Sequence, residues 1–384
     1  MAMSSQTAEV VIIGAGIAGA SIAWHLTEAG CQDVVLLERE TALGRGSTGK
    51  SMGSVRAQFA TEVNIQMSLY SIPFFASFRE RVGADSGYQP QGYLFCATTE
   101  AHEETLRANQ ARQQALGLKE VFWLDAAAIA RLVPPLRTDD IRGGAFCPID
   151  GFVDPYSVMN GFLDSAVARG VRLERGAEVT GLRPGVVVAG ATTYSARAIV
   201  IAAGAWSPRV AALAGLDLPV QPLRRMLVPT ESRGEIPETC PMTIDMATGF
   251  HFRPEGRGLL LAWNDPEETP GYKTAFDPAF LEKILTRAAE RVPSMATVEV
   301  NPKRAWAGLY EMSPDHHAIL GPAPECPNIY YATGFSGHGV MHSPATGKIL
   351  ADLLLEGSTS LIDASVLSAA RFQQGRAIQE TAVL

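Results

Sequence analysis

The first forty residues constrain the fold more than any other part of the chain. In EVVIIGAGIAGASIAWHLTEAG an apolar run, residues 10–13, leads into Gly14-x-Gly16-x-x-Gly19, and a helix-forming run continues to about Glu28. A second apolar run, VVLLE, ends on Glu38, nineteen residues beyond Gly19. Each glycine has its own task in a strand–turn–helix unit. Gly14 permits the tight turn, Gly16 lets backbone reach a pyrophosphate, and Gly19 lets helix pack closely on strand. The helix start, Ile17 and Ala18, offers free N–H groups and a positive dipole end to phosphates. An acid at Glu38 suits a ribose 2′-hydroxyl and repels a 2′-phosphate. The full set predicts a dinucleotide-binding βαβ unit, disfavours NADP, and leaves NAD and FAD open.

A chain of 384 residues is too long for one ordinary core, so two domains are expected. Repeats and low-complexity linkers are lacking, so the domains are expected to interleave. Net charge is −8 and there is no basic run to track a phosphate backbone, which argues against nucleic acid as a partner. The five cysteines never form CxxC, so neither a disulfide framework nor a zinc site is expected, and a reducing compartment fits. His316 and His317 are adjacent and would point apart on extended chain, so no metal is expected there. No apolar run approaches the ~18 residues of a membrane span. Residues 1–9 lack the basic region of a signal peptide, so a cytoplasmic location is expected.

Three later stretches bear on the cofactor. After Glu38 and Arg39 comes GRGSTGKSMGSVRAQF, with Ser47, Thr48, Ser51, Met52 and Gly53 ahead of Arg56. Hydroxyls among glycines suit a pyrophosphate and a ribityl chain, although alone the stretch reads more readily as a polar surface loop. ARAIVIAAGAWSP predicts a buried strand running into Ala203, Gly204 and Trp206, and GVRLERGAEVTGL a strand with Val179 free to cap an adenine. Near the C-terminus, YYATGFSGHGVMHSPATGKILADLL forms a second glycine turn leading to an apolar run.

The motifs VIIGAGIAGASIAWHL, GSTGKSMGSVRAQF, IAAGAWSP, WAGLYEMSPDHHAILGPAP and YYATGFSGHGV run along nearly the whole chain. In that order they resemble the FAD-dependent oxidoreductases of the D-amino-acid oxidase superfamily, on the glycine oxidase and sarcosine oxidase branch. The resemblance implies an α/β fold. An FAD-binding Rossmann-like domain (1–86, 148–219 and 301–384) would interleave with an α+β substrate domain (87–147 and 220–300) on a mostly antiparallel sheet. PLRRMLVPTE, MTIDMATGFHFRP and RGLLLAWND read well as such strands, and DPAFLEKILTRAAERVP as an amphipathic helix capped by Asp277.

The resemblance further implies hydride transfer from a carbon next to an amine to flavin N5, leaving an imine that water hydrolyses. The substrate would be an amino acid or a secondary amine such as an N-substituted glycine. Arg56 matches the arginine that grips the substrate carboxylate, and His251 and Tyr310 match residues facing the substrate. The second turn, with Gly334, Ser336, Gly337, His338 and Gly339, would cradle the pyrimidine edge of the ring. A helix from about Val340, with Pro344 in its first turn, would point its positive end there. Where some relatives attach flavin through a cysteine this chain has Gly308, so non-covalent FAD is expected. Lysines of related oxidases are replaced by Leu260 and Met341. Loss of the first puts oxygen in doubt as the acceptor, against a quinone or a partner redox subunit. A flavin-binding assembly factor without turnover is a further alternative.

Overall fold

The computed structural model describes residues 4–380 and 382. Continuous apolar runs become the central strands of a sheet covered on both faces. Its strand order is Ile319–Ala323, Cys326–Thr333, Thr192–Ile201, Ser4–Ile13, Val34–Glu38 and Arg172–Arg175. All neighbours are parallel except the outermost pair, Ile319–Ala323 with Cys326–Thr333. The hairpin strands Val179–Arg183 and Val186–Ala189 extend it from Thr192–Ile201. Within residues 10–13 the side chains alternate between two cores. Val10 and Ile12 meet the helical layer, which includes Ala20, Phe162 and Ile349, while Val11 and Ile13 meet Leu182, Val187 and Ala211. Both faces are apolar because both are covered.

A second eight-stranded sheet runs Trp306–Met312, Gln221–Pro229, Gly258–Ala262, His251–Glu255, Met242–Asp245, Tyr93–Ala97, Gly143–Cys147 and Phe122–Leu124. Only Met242–Asp245 with Tyr93–Ala97 is parallel. One face packs on the amphipathic helix Ala279–Arg291 through Met226, Val228, Phe252, Leu261, Phe280 and Ile284. Arg291 fastens that helix to the sheet through Asp140 at 2.7 Å and Asp245 at 3.3 Å. Asp277 accepts the Ala279 N–H at 3.1 Å, the capping role expected of it.

The strand Trp306–Met312 pairs along its whole length with Gln221–Pro229 in the second sheet. Its backbone also reaches the first domain through the Met312–Phe335 bridge and the Ser336 N–H on the Glu311 carbonyl. The last long helix begins at Ser343 rather than Val340. Residues 339–342 form turns, and Pro344 takes the second helical position, where no N–H partner is lost.

Candidate functional site

One continuous cavity is bordered by the first glycine turn at one end and by the second at the other. At the first turn Gly14 has φ +110°, and a Cβ there would lie 2.4 Å from the Ala202 carbonyl oxygen. A side chain would therefore collide with the chain leading into Ala203 and Gly204. A Cβ on Gly19 would lie 1.9 Å from the Gly14 carbonyl oxygen, so the helix Ile17–Glu28 sits directly on the turn. Gly16 instead faces the Thr48 hydroxyl, 3.4 Å from where its Cβ would be. The Ile17 N–H donates to Thr48 Oγ1 at 3.1 Å, and the Ala15 N–H donates to Glu38 Oε2 at 3.1 Å. The Arg39 guanidinium stacks on Trp206 at 4.2 Å, and Val179 borders the same end.

In the middle, two side chains sew the polar loop to the second sheet. Ser47 Oγ donates to the Leu309 carbonyl at 2.6 Å, and Trp306 Nε1 donates to the Lys50 carbonyl at 2.9 Å. A Cβ on Gly308 would lie 3.2 Å from the Lys50 Cβ, so loop and strand touch there. Ser51 and Met52 also border the cavity.

At the far end Gly337 has φ +97°, and a Cβ on it would lie 2.4 Å from the Tyr310 ring. The turn is thus packed on a residue of the other domain. Ser336 adopts φ +51°, and its hydroxyl accepts the Ser313 N–H at 3.1 Å. Glu311 is half-buried beside it, accepting from the Thr333 hydroxyl and the Gly334 N–H; desolvation raises its pKa to about 7.

The inner face of the second sheet roofs this end. Register pairs Leu227 with Ala262 and Ala262 with His251, while Arg225 opposes Gly308 and Leu223 opposes Tyr310. Paired residues share a face, so Arg225, Leu227, His251 and Tyr310 all turn inward with Met242 and Tyr93. His251 Nδ1 lies 2.9 Å from the Gly249 carbonyl, which fixes the N–H on Nδ1 and leaves a lone pair on Nε2. Burial, helped by the charges of Arg225 and Arg56, lowers its pKa to about 4, so the ring is neutral near pH 7. Burial also raises the pKa of the Tyr310 phenol.

Of the anticipated positions, Arg56, His251, Tyr310, Gly308, His338, Gly339 and Val340 border the cavity at this end. Gly19, Gly53 and Gly334 stand behind the wall: a Cβ on Gly53 would meet the Val153 carbonyl and one on Gly334 the Ile319 side chain. Arg56 is buried and already partnered. It donates to the Gln58 and Ala382 carbonyls, lies 3.4 Å from His338 Nε2, and stacks at 3.8 Å on Phe59. Sequence reasoning missed Lys50, Glu311, Leu227 and Arg225 as lining residues, and did not use Met242. The alternation in PLRRMLVP carried the signal for Arg225, but not which face was inward.

The family described as DAO, FAD dependent oxidoreductase, matches residues 9–353. The chain belongs to this family. Among its relatives, FAD-dependent oxidoreductase domain-containing protein 1 of Xenopus laevis is 31% identical, over 96% of this chain and 83% of that protein. Mitochondrial dimethylglycine dehydrogenase of Rattus norvegicus is 32% identical over 91% of this chain and 43% of that protein. Among solved structures, L-proline dehydrogenase from P. horikoshii superposes with a TM-score of 0.89 at 27% identity, covering 97% of this chain and 99% of that one.

FAD is therefore the cofactor of this DAO-family chain, and the cavity fits it. Gly14 at one end and Gly337 at the other leave no room for a Cβ, so backbone borders the cavity at both turns, as a cradle for an extended ligand requires. Gly16, Ile17, Glu38 and Thr48 would hold the phosphate and adenosine end, and Gly337 to Val340 the ring end. Among the described residues no helix is long and apolar enough to cross a membrane.

Proposed function

We propose that this FAD-dependent oxidoreductase oxidises the C–N bond of an amino acid or N-substituted glycine to an imine, which water then hydrolyses. The observation that carries the reading is the chamber at the ring end. It combines the buried Arg56 and the partly buried Arg225 with a neutral histidine whose Nε2 lone pair has no protein partner among the described residues. Two fixed positive charges disfavour an ammonium ion and favour the free amine, which is the oxidisable form. The His251 Nε2 lone pair accepts a hydrogen bond from that amine. Leu227, Met242 and Ala262 supply an apolar wall that limits water. The flavin ring, held by Gly337 to Val340, would supply the hydride acceptor for the carbon next to nitrogen. The amine proton leaves to solvent, and the imine is the first product. The names of the relatives support the same substrate class: one acts on dimethylglycine and a structural neighbour on L-proline.

A second reading differs only in the acceptor. Leu260 is buried where the resemblance sets a lysine in some oxidases, and both of those relatives are named dehydrogenases. This favours transfer to a carrier over transfer to oxygen. The FAD-loaded protein should oxidise an N-methyl amino acid or a cyclic imino acid, with the carbonyl product identified by mass. Turnover with a dye and little peroxide selects the dehydrogenase form, and peroxide equal to product selects the oxidase. Absence of the carbonyl product with both acceptors would overturn the proposal.

A further inference from the structure

Three arginines of the second domain or its border approach the chamber, and two already have partners. Arg253 Nε donates to the Met52 carbonyl at 2.8 Å, and its Nη1 reaches Glu255. Arg56 is held by two carbonyls and stacked on Phe59. Arg225 differs. It is mostly buried, its Nε has no hydrogen-bond partner, and its Nη1 makes only a 3.4 Å contact with the Arg224 carbonyl. No carboxylate lies within 4.0 Å of it among the described residues, whereas its neighbour Arg224, on the opposite face, pairs with Glu268 and Asp277. The Arg225 guanidinium sits 5.4 Å from the Tyr310 ring centroid. Burying an unpaired guanidinium is costly, and the cost is offset only when an anion arrives.

We propose that Arg225 is the anchor for the substrate carboxylate, and that with His251 it restricts the enzyme to amines carrying the carboxylate near nitrogen. The strands of Arg225 and His251 are separated by one strand, Gly258–Ala262, about 9.6 Å laterally. Arg225 also lies two residues along its strand from Leu227, which is in register with His251, so the backbones of Arg225 and His251 stand about 12 Å apart. Ala262, in register between Leu227 and His251, has the smallest side chain of that row and leaves the floor between them open. The forked guanidinium reaches in from one side and the imidazole Nε2 from the other. A carboxylate on the fork and an amine on Nε2 can then belong to one small molecule, with carboxylate and nitrogen on the same or adjacent atoms. Simple amines lack the group that satisfies Arg225, and a carboxylate several methylenes from nitrogen overruns the gap.

The carboxylate half of this assignment stands independently, while the amine half rests on the proposed function. The test is calorimetric titration of the FAD-loaded protein with cyclopentanecarboxylate, which cannot be oxidised as an amine, against its neutral amide. Wild type should bind the acid and not the amide. Arg225→Met should bind the acid about 10- to 100-fold more weakly, as expected for losing charge-assisted hydrogen bonds. Arg225→Lys should fall between them, keeping the cation but not the fork. Flavin content and Tm of Arg225→Lys, matching wild type, separate anchoring from folding. Equal affinity for acid and amide, or unchanged acid affinity in both variants, overturns the assignment. Arg225-dependent binding of the acid in a protein that no amine reduces would keep the anchor and sink the proposed reaction. Reduction by amino acids with an unchanged KM in Arg225→Lys and Arg225→Met would do the reverse.

Discussion

Gly347→Ala separates a packing role from helix propensity, because the two predict opposite signs. Gly347 lies within the helix Ser343–Leu355, where it faces the helix Ile17–Glu28. In a helix interior, replacing Gly by Ala ordinarily stabilises by about 1 kcal/mol. Here a Cβ would sit 2.3 Å from Ser21 Oγ, 2.3 Å from His25 Nδ1 and 2.7 Å from the Ser21 carbonyl oxygen. Those atoms cannot move apart freely, since His25 Nδ1 donates to the Ser21 carbonyl at 2.8 Å and both residues are buried. Overpacking of this kind costs about 1–3 kcal/mol, and here the backbone carbonyl limits relief. After the propensity gain is subtracted, the net expectation is destabilisation of up to about 2 kcal/mol, towards the upper end because a backbone carbonyl is among the atoms struck. The two helices follow the two glycine turns, so separating them also misaligns the ends of the FAD cavity. Thermal melts of apo- and FAD-loaded protein, with fluorescence titration of FAD, should show a lower Tm and a weaker Kd. A variant that melts higher than wild type with an unchanged Kd would refute the close-crossing argument.

Two further outcomes follow from single residues. With Gly308 facing Lys50 and no thiol at that position, acid precipitation should release all the flavin and leave a colourless pellet; retained colour would show a covalent bond elsewhere. Desolvation raises the Glu311 pKa to about 7, above its value of about 4.3 in an unfolded chain. The folded state therefore holds this proton more tightly, and the resulting stability is full at low pH and is lost as pH rises towards 7. Asp150, buried and also raised to about 7, adds to the same decline. Glu311→Gln should flatten the fall in apoprotein Tm between about pH 4.5 and 7, whereas an unchanged slope would remove Glu311 as a cause.

What the sequence disclosed depended on how local the determinant was. The first glycine turn was legible because its strand, turn, helix and terminal acid lie within Val10 to Glu38, and Gly19 answers a clash with Gly14 itself. Doubly covered strands were legible as unbroken apolar runs. The pairing of Trp306–Met312 was not legible because its partner, Gln221–Pro229, lies far upstream and alternation alone does not name a sheet. Arg224 and Arg225 are adjacent and chemically alike. Only Glu268 and Asp277, well downstream, show that Arg224 is the neutralised one. Arg56 was legible as a chamber residue, but its partners Gln58, His338 and Ala382 show that its guanidinium is already engaged. The delayed start of the last helix reflects the turns at residues 339–342, which propensity does not reveal.

The central claim is that one FAD site joins both glycine turns and that the chamber beside the second presents an amino acid or secondary amine to the ring. Anaerobic titration of the FAD-loaded protein with a panel of amino acids, N-methyl amino acids and cyclic imino acids, read by visible absorbance, tests it most directly. At least one carboxylate-bearing amine should bleach the flavin bands, while the matching amine without a carboxylate should not. If dithionite bleaches the flavin and no member of the panel does, the assignment of this chamber to amine oxidation is wrong.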